Sequence, residues 1–445
     1  MTSQPAWRIV LGLSLLVAIR SVRAQETTYS LSDRPATAVE ATWTGYGYQP
    51  NGGSPSDVAA ADACGVGGCD GKTCRHGAGG TCDSCGSCDD ACLPWTLLPE
   101  MGRGVRVGGW ISGGATFNAD GLRSGNGNFP VQMGNVSDGF IGNQVWGFIT
   151  REAALGQGVD WGFRVDYVFG ADAADTQTYG DQGWDFGWNT SRDYGSAIPQ
   201  IYFELTFDRL RAKLGHFYTP VGFESVPAPN NFFYSHALTM YYGEPFTHTG
   251  VLLDYTANSC WKFYGGYVTG WDGSFENRID SHMFLGGVSW TPADYMSLDY
   301  IVTAGRFGNG SIRNNGNLYS HSLVFKVQVS ERLQYVLQSD YSRNFDLPAN
   351  AVAEWYGINN YLFYEINDCW GIGARIEWFR DKDGTRLPVA GNYYEATAGL
   401  NWSPTANLRV RPEVRWDWYQ GTGSPYNNGT EKDLVTFGVD FVLNF

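Results

Sequence analysis

The sequence predicts an all-β fold: a transmembrane antiparallel up-and-down β-barrel of about sixteen strands, preceded by a disordered Cys/Gly-rich segment. Three observations predict it. Apolar and polar residues alternate with period two from Val107 to the last residue. Short and long connections alternate along the same stretch. The chain ends on an apolar strand whose last residue is Phe445.

Composition sets the bounds. The 445 residues suffice for one large domain or two ordinary ones. Only 17% are charged and 15% aromatic, with 58 glycines, 17 tryptophans and 26 tyrosines. A soluble globular chain carries roughly a quarter charged residues and fewer aromatics. The mean hydropathy is nevertheless slightly polar, -0.27, and beyond the first two dozen residues no run is apolar enough for a membrane helix. Strands with one apolar and one polar face reconcile these facts, although a secreted all-β protein has the same composition.

At the N-terminus, Arg8 precedes an apolar run from Ile9 to Ile19, and Val22-Arg23-Ala24 follows. Aliphatic and small residues three and one before a cut place a signal-peptidase site after Ala24. Removing residues 1–24 takes the formal charge from -15 to -18. Such an acidic chain is not expected to bind nucleic acid.

Residues 25–104 differ from everything after them. They are rich in Gly, Ala, Asp and Pro, and hold seven of the nine cysteines: Cys64, Cys69, Cys74, Cys82, Cys85, Cys88 and Cys92. With little apolar content this segment cannot bury a core, so it reads as flexible unless cross-linked. Cys82-x2-Cys85-x2-Cys88-x3-Cys92 has the spacing of an iron–sulfur run, but Leu93 stands where Pro normally follows. Zinc is a further alternative. Disulfides in an oxidising compartment are the preferred reading, so no metal or cofactor is expected. Seven is odd, which leaves a thiol for another envelope protein, for Cys260 or Cys369, or free.

From 105 to 445 the strands follow one another. Trp161-Gly162-Phe163-Arg164-Val165-Asp166-Tyr167 carries apolar residues on one face and Arg164 and Asp166 on the other. Ile201 to Phe207, Trp370 to Trp378 and Leu408 to Trp416 repeat the pattern. Short connections fall at Phe207-Asp208-Arg209-Leu210, Thr256 to Trp261, Thr291 to Met296, Val329 to Leu333, Tyr364 to Cys369 and Trp402 to Leu408. Long ones cover roughly 118–144, 170–196, 217–249, 270–281, 305–319, 342–355, 380–392 and 419–432. Short turns on the periplasmic side and long loops outside are the outer-membrane arrangement. In the last strand Phe437, Val439, Phe441, Leu443 and Phe445 share one face. A terminal strand ending on an aromatic is similar to the segment by which outer-membrane proteins are recognised by the barrel-assembly machinery.

Phe217-Tyr218-Thr219-Pro220-Val221-Gly222-Phe223-Glu224, Phe232-Phe233-Tyr234-Ser235 and Pro245-Phe246-Thr247-His248-Thr249-Gly250 resemble the OmpL-like beta-barrel porin-2 family. The resemblance extends from about Gly104 to Phe445. It implies an outer-membrane pore for passive diffusion of small hydrophilic solutes or ions, and supplies no catalytic residues. A Cys/Gly-rich segment ahead of such a barrel is similar to exported proteins of planctomycetes.

If the apolar faces meet outer-membrane lipid, the alternate residues meet water inside. This makes Arg164, Asp166, Glu204, Arg211, Lys213, Arg375, Glu377, Arg409, Arg411, Glu413, Arg415 and Asp417 the pore-lining candidates. The long 217–249 connection is rich in Pro and aromatics, so it should pack on something. Folded into the lumen, it would narrow the pore with Glu224, Asn230, Asn231, His236, Glu244 and His248; it could instead cap the outer mouth. Alternatives are a cross-linking envelope role, a barrel hydrolase and a soluble glycan-binding β-protein. The six histidines, His76, His216, His236, His248, His282 and His321, form no ordered nucleophile–base motif, even with Ser322 beside His321. Solute choice and self-association into homo-oligomers are left open.

Overall fold

In the computed structural model the described residues are 95–99, 101–120, 128–131, 139–179, 183–191, 193–277, 279–308, 316–347 and 351–445. The expected signal peptide, its cut after Ala24 and the seven clustered cysteines lie outside them.

Sixteen strands form the barrel. They are β1 (Val105–Asn118), β2 (Gly139–Arg151), β3 (Val159–Gly170), β4 (Gly195–Phe207), β5 (Leu210–Tyr218), β6 (Thr247–Thr256), β7 (Trp261–Val268) and β8 (His282–Ala293). They continue as β9 (Met296–Arg306), β10 (Asn317–Ser330), β11 (Leu333–Leu347), β12 (Ala351–Asn367), β13 (Trp370–Asp381), β14 (Gly391–Thr405), β15 (Leu408–Gln420) and β16 (Asp433–Asn444). Each pairs antiparallel with its sequence neighbours, and β16 returns to pair with β1. The closing register sets Trp110 opposite Asn444 and Asn118 opposite Thr436. Beyond β16, Phe445 and Gly109 exchange both backbone hydrogen bonds at 2.9 Å. Closure leaves no unpaired edge, which a lipid environment demands because nothing there can hydrogen-bond a free amide.

The alternation seen in the sequence becomes an inverted core. Along β15, Arg411, Glu413, Arg415 and Asp417 are buried, while Val414 and Trp416 on the opposite phase are exposed. Trp416 is 46% accessible and Arg415 1%. Polar side chains point into the barrel and apolar ones outward, the reverse of a soluble sandwich and the arrangement of a barrel in lipid. Outward aromatics gather at both rims. Trp261 stacks with Trp290 and Trp370 with Trp402 near the short turns; Tyr394 stacks with Trp418 near the other end.

Connections follow the expected short–long alternation with one exception. Residues 342–355 are not a long loop, because β11 runs to Leu347 and β12 begins at Ala351. Asn344, Asp346 and Pro348 read as loop formers, yet Asn344 is an inward, buried strand residue opposite Ala353. An inward polar position makes a strand look like a loop. At the short-turn end, Trp95 exchanges backbone-to-side-chain bonds with Asn407 at 2.9 and 2.8 Å, so the residues ahead of β1 touch the β14–β15 turn.

Candidate functional site

The connection between β5 and β6 does not leave the barrel. Pro220 has no amide to continue the β5 ladder, and Gly222 turns the chain with φ +85. A Cβ at Gly222 would fall 2.0 Å from the Glu244 carboxylate, so only glycine fits this approach. Of residues 219–246, all but Glu224, Asn230 and Tyr241 are buried. The segment therefore fills interior space. The expected 217–249 range shrinks at both ends: Phe217 and Tyr218 pair with His248 and Thr247 as part of β5 and β6. His248 is thus a strand residue, bonded through its ring to Thr219 at 2.9 Å and to the Gly270 carbonyl at 2.9 Å.

An irregular segment inside a barrel has amides and carbonyls that no ladder satisfies, and each must find a partner. The inward side chains of the wall supply them. Glu413 accepts from the Tyr234 and Ser235 amides at 2.9 and 3.1 Å. Glu377 accepts from Leu238 and Thr239 at 2.7 and 2.6 Å. Gln338 accepts from Phe223 at 3.0 Å. Carbonyls are met by cations: Arg411 donates to Ala228 and Asn231, Arg409 to Pro229, Arg375 to Ser235 and Arg415 to His236. Carboxylates hold amides and guanidinium groups hold carbonyls, both as charge-assisted bonds.

The cations are themselves paired. Arg375 lies 2.7 Å from Glu224 and 2.9 Å from Glu395. Arg415 pairs with Asp417 at 2.7 Å and Arg164 with Asp166 at 2.7 Å. Arg411 donates to Asp440 at 2.8 Å. Burial pushes the Glu224 carboxyl up, but the Arg375 guanidinium beside it, with His236 and the Ala237 amide, outweighs burial and holds it at about 2. Glu244 goes the other way: burial, reinforced by Asp340, raises it well above the usual carboxylate range.

Packing complements the hydrogen bonds. Phe232, Phe233 and Tyr234 lie over inward glycines of the wall. A Cβ would come within 2.5 Å of Phe232 at Gly373, 3.2 Å of Phe233 at Gly399 and 2.9 Å of Tyr234 at Gly114. Phe223, Phe232 and Phe233 form one apolar cluster with Val324, Val336, Tyr361 and Phe363.

All twelve wall candidates point inward, but they do not stand in water along an open wall. Ten are buried, and only Arg211 and Arg409 are partly exposed. Lys213 sits 4.5 Å over the Tyr202 ring, and Glu204 is 3.9 Å from Arg211. Six of them, Arg375, Glu377, Arg409, Arg411, Glu413 and Arg415, hold the inward segment. Of the segment's own candidates, Glu224, Asn231, His236 and Glu244 are inside it, and Asn230 is partly exposed. Asn231 folds back on Ser225 and Pro227 and so shapes the turn. Sequence reasoning missed Gln144, Gln338, Glu395 and Asp440. Each sits on the inward phase of its strand, so the alternation alone could have found them. Among the described residues no group of three or more His, Cys, Asp or Glu could hold a metal.

Residues 104–445 match the family described as Putative beta-barrel porin-2, OmpL-like. No curated protein matches the sequence. Several solved barrels share the fold. The outer-membrane expressed OmpT of Vibrio cholerae is 12% identical, with 77% of this chain and 97% of that one covered and a TM-score of 0.51. The anion-selective porin from Comamonas acidovorans is 7% identical, with coverage of 77% and 99% and a TM-score of 0.51. The outer membrane channel DcaP of Acinetobacter baumannii is 11% identical, with coverage of 77% and 97% and a TM-score of 0.50. At these identities the likeness is one of fold. The family match extends over the whole barrel, and the chain belongs to the OmpL-like beta-barrel porin-2 family of outer-membrane channels.

Proposed function

We propose that this porin passes small hydrophilic solutes or ions by diffusion, and that the inward 219–246 segment sets its aperture. The observation that carries the second half is the set of bonds from Arg375, Glu377, Arg411, Glu413 and Arg415 to that segment's backbone. A segment held at this many points is a fixed obstruction and not a floating loop. Charge-assisted bonds from both sides keep its cross-section constant, so the remaining path filters by size and charge. The same reading makes the protein a channel and not an enzyme.

Planar-bilayer recording tests it. The full-length barrel should give small, stepwise conductance. Replacing residues 225–243 with a short Gly/Ser linker should raise the unitary step several-fold. An unchanged step would show that the segment does not limit flow. We further propose export with cleavage after Ala24, a Cys-rich segment over 25–104, and delivery to the assembly machinery through the terminal strand carrying Phe437, Val439, Phe441, Leu443 and Phe445. Self-association is proposed as well, since the Vibrio cholerae OmpT is described in a trimer form.

Cross-linking by the N-terminal cysteines is a second reading with its own observation. Cys369, in the β12–β13 turn, is disulfide-bonded, while Cys260 in the β6–β7 turn is a free thiol. Both turns are at the short-turn end, where Trp95 also lies. Non-reducing gels of the envelope fraction test this reading, and a ladder that collapses with reductant supports it.

A further inference from the structure

At the long-loop end, a cavity of about 200 Å³ lies between the β3–β4 connection, the inward segment, the β7–β8 connection and the β13–β14 connection. It is separate from the bonds that hold Phe232 to Thr239. Its walls combine two kinds of surface. Tyr179, Tyr241, Phe246, Trp271 and Phe307 supply aromatic faces, and Asp175, Glu244, Asp272 and Arg386 supply polar groups.

Arg386 is the informative residue. Its guanidinium sits 5.1 Å from the Trp355 ring centre and 5.9 Å from that of Trp271. Its Nε donates to the Tyr242 carbonyl, but it forms no ion pair among the described residues, and its terminal nitrogens bond to none of them. Two of the carboxyls are each half used. Asp272 accepts the Phe246 and Thr247 amides through Oδ1 alone, at 2.9 and 2.8 Å. Asp175 accepts the Tyr241 hydroxyl through Oδ1 at 2.7 Å. Donors and acceptors are thus left over in one enclosed space, with exposed Ala174 and Tyr179 at its edge.

We propose that this cavity is a solute-binding site for a neutral, hydroxyl-rich ring of monosaccharide size, an inference that rests on the porin reading. An anion would meet the Asp272 carboxylate, and an amine would meet the Arg386 guanidinium. A hydroxyl donates and accepts, so it satisfies both, and the C–H face of a sugar ring lies flat on an aromatic wall. Ligand pockets for drug-sized molecules run roughly 300–1,000 Å³, so this smaller cavity fits one ring and excludes an oligosaccharide.

The test uses the full-length barrel with D-glucose as probe, by calorimetry in detergent and by current recording in a bilayer. Saturable millimolar binding is expected, together with glucose-dependent flicker of the open current. Tyr179→Ala and Arg386→Gln, both checked for a heat-modifiable folded band, should each weaken binding tenfold or more. Stepwise conductance in salt without sugar tests the porin reading separately. Conductance with no saturable glucose binding overturns the site. So does binding that neither variant alters, or tighter binding of acetate or glycine than of glucose.

Discussion

The Arg375 guanidinium on β13 meets the Glu224 carboxylate of the inward segment at 2.7 Å, with both side chains at most 6% accessible. A wall charge and a segment charge neutralise each other inside the barrel, and each is also tied elsewhere. Arg375 reaches Glu395 and the Ser235 carbonyl; Glu224 accepts from Ala237, and His236 lies 3.0 Å from it. Removing one partner of a buried pair costs about 3–5 kcal/mol, because the other is stranded.

Glu224→Ala should therefore loosen the segment while the barrel still closes. Arg375 keeps Glu395, which places the cost at about 3 kcal/mol, the lower end of that range. Hydrogen exchange followed by mass spectrometry should show protection over 223–240 falling on the order of a hundredfold. Strand protection should not change.

Acid and base should both loosen the segment, each through a different carboxyl. Glu224 is held at about 2 against an ordinary 4.5, so its stabilising charge is fully present above 4.5 and lost only as pH falls towards 2. Asp175, which ties the β3–β4 connection to Tyr241, is raised by burial from 3.8 to about 7. Its folded state retains a proton that the unfolded state has released, so stability declines as pH rises from 3.8 through 7. Proteolysis of the 171–194 and 219–246 connections should be faster at pH 8 than at pH 5. Asp175→Asn should reduce that difference, and equal rates at both pH values in the unaltered protein would contradict it.

Gly373→Val tests the packing. The added Cβ would meet Phe232 at 2.5 Å, and the rest of the wall cannot shift without breaking the β12–β13 and β13–β14 ladders. Phe232 should be expelled from its cluster with Phe363. Overpacking of this kind costs about 1–3 kcal/mol. The expected readout is a larger and noisier single-channel current with an unchanged heat-modifiable band.

Deleting Phe445 should act on closure and not on conductance. The residue exchanges two backbone bonds with Gly109 and extends the β1–β16 seam by one position. The folded, heat-modifiable fraction should drop severalfold, while the surviving barrels conduct normally. A normal folded yield would remove the terminal residue from the assembly argument.

Much of the barrel was legible because its rule is local. Neighbouring side chains on a strand face opposite ways, so lipid outside and polar groups inside write period two into every strand. That rule determined the all-β class, the stretch from about Gly104 to Phe445, an approximate strand number and the inward direction of Arg164, Glu377, Arg415 and their companions. It failed where polar inward positions imitate a loop, at 342–355, and where strand pairing continues past a familiar motif, at His248.

What each inward charge holds was decided by the tertiary structure alone. Arg411 finds Asp440 through the β15–β16 register and Ala228 through the fold of a segment 183 residues away. Glu413 receives amides from Tyr234 and Ser235. The sequence determined that these groups face inward. Only the closed barrel, with an irregular segment inside it whose backbone has no ladder partners, decided that they grip a chain and do not simply line a channel.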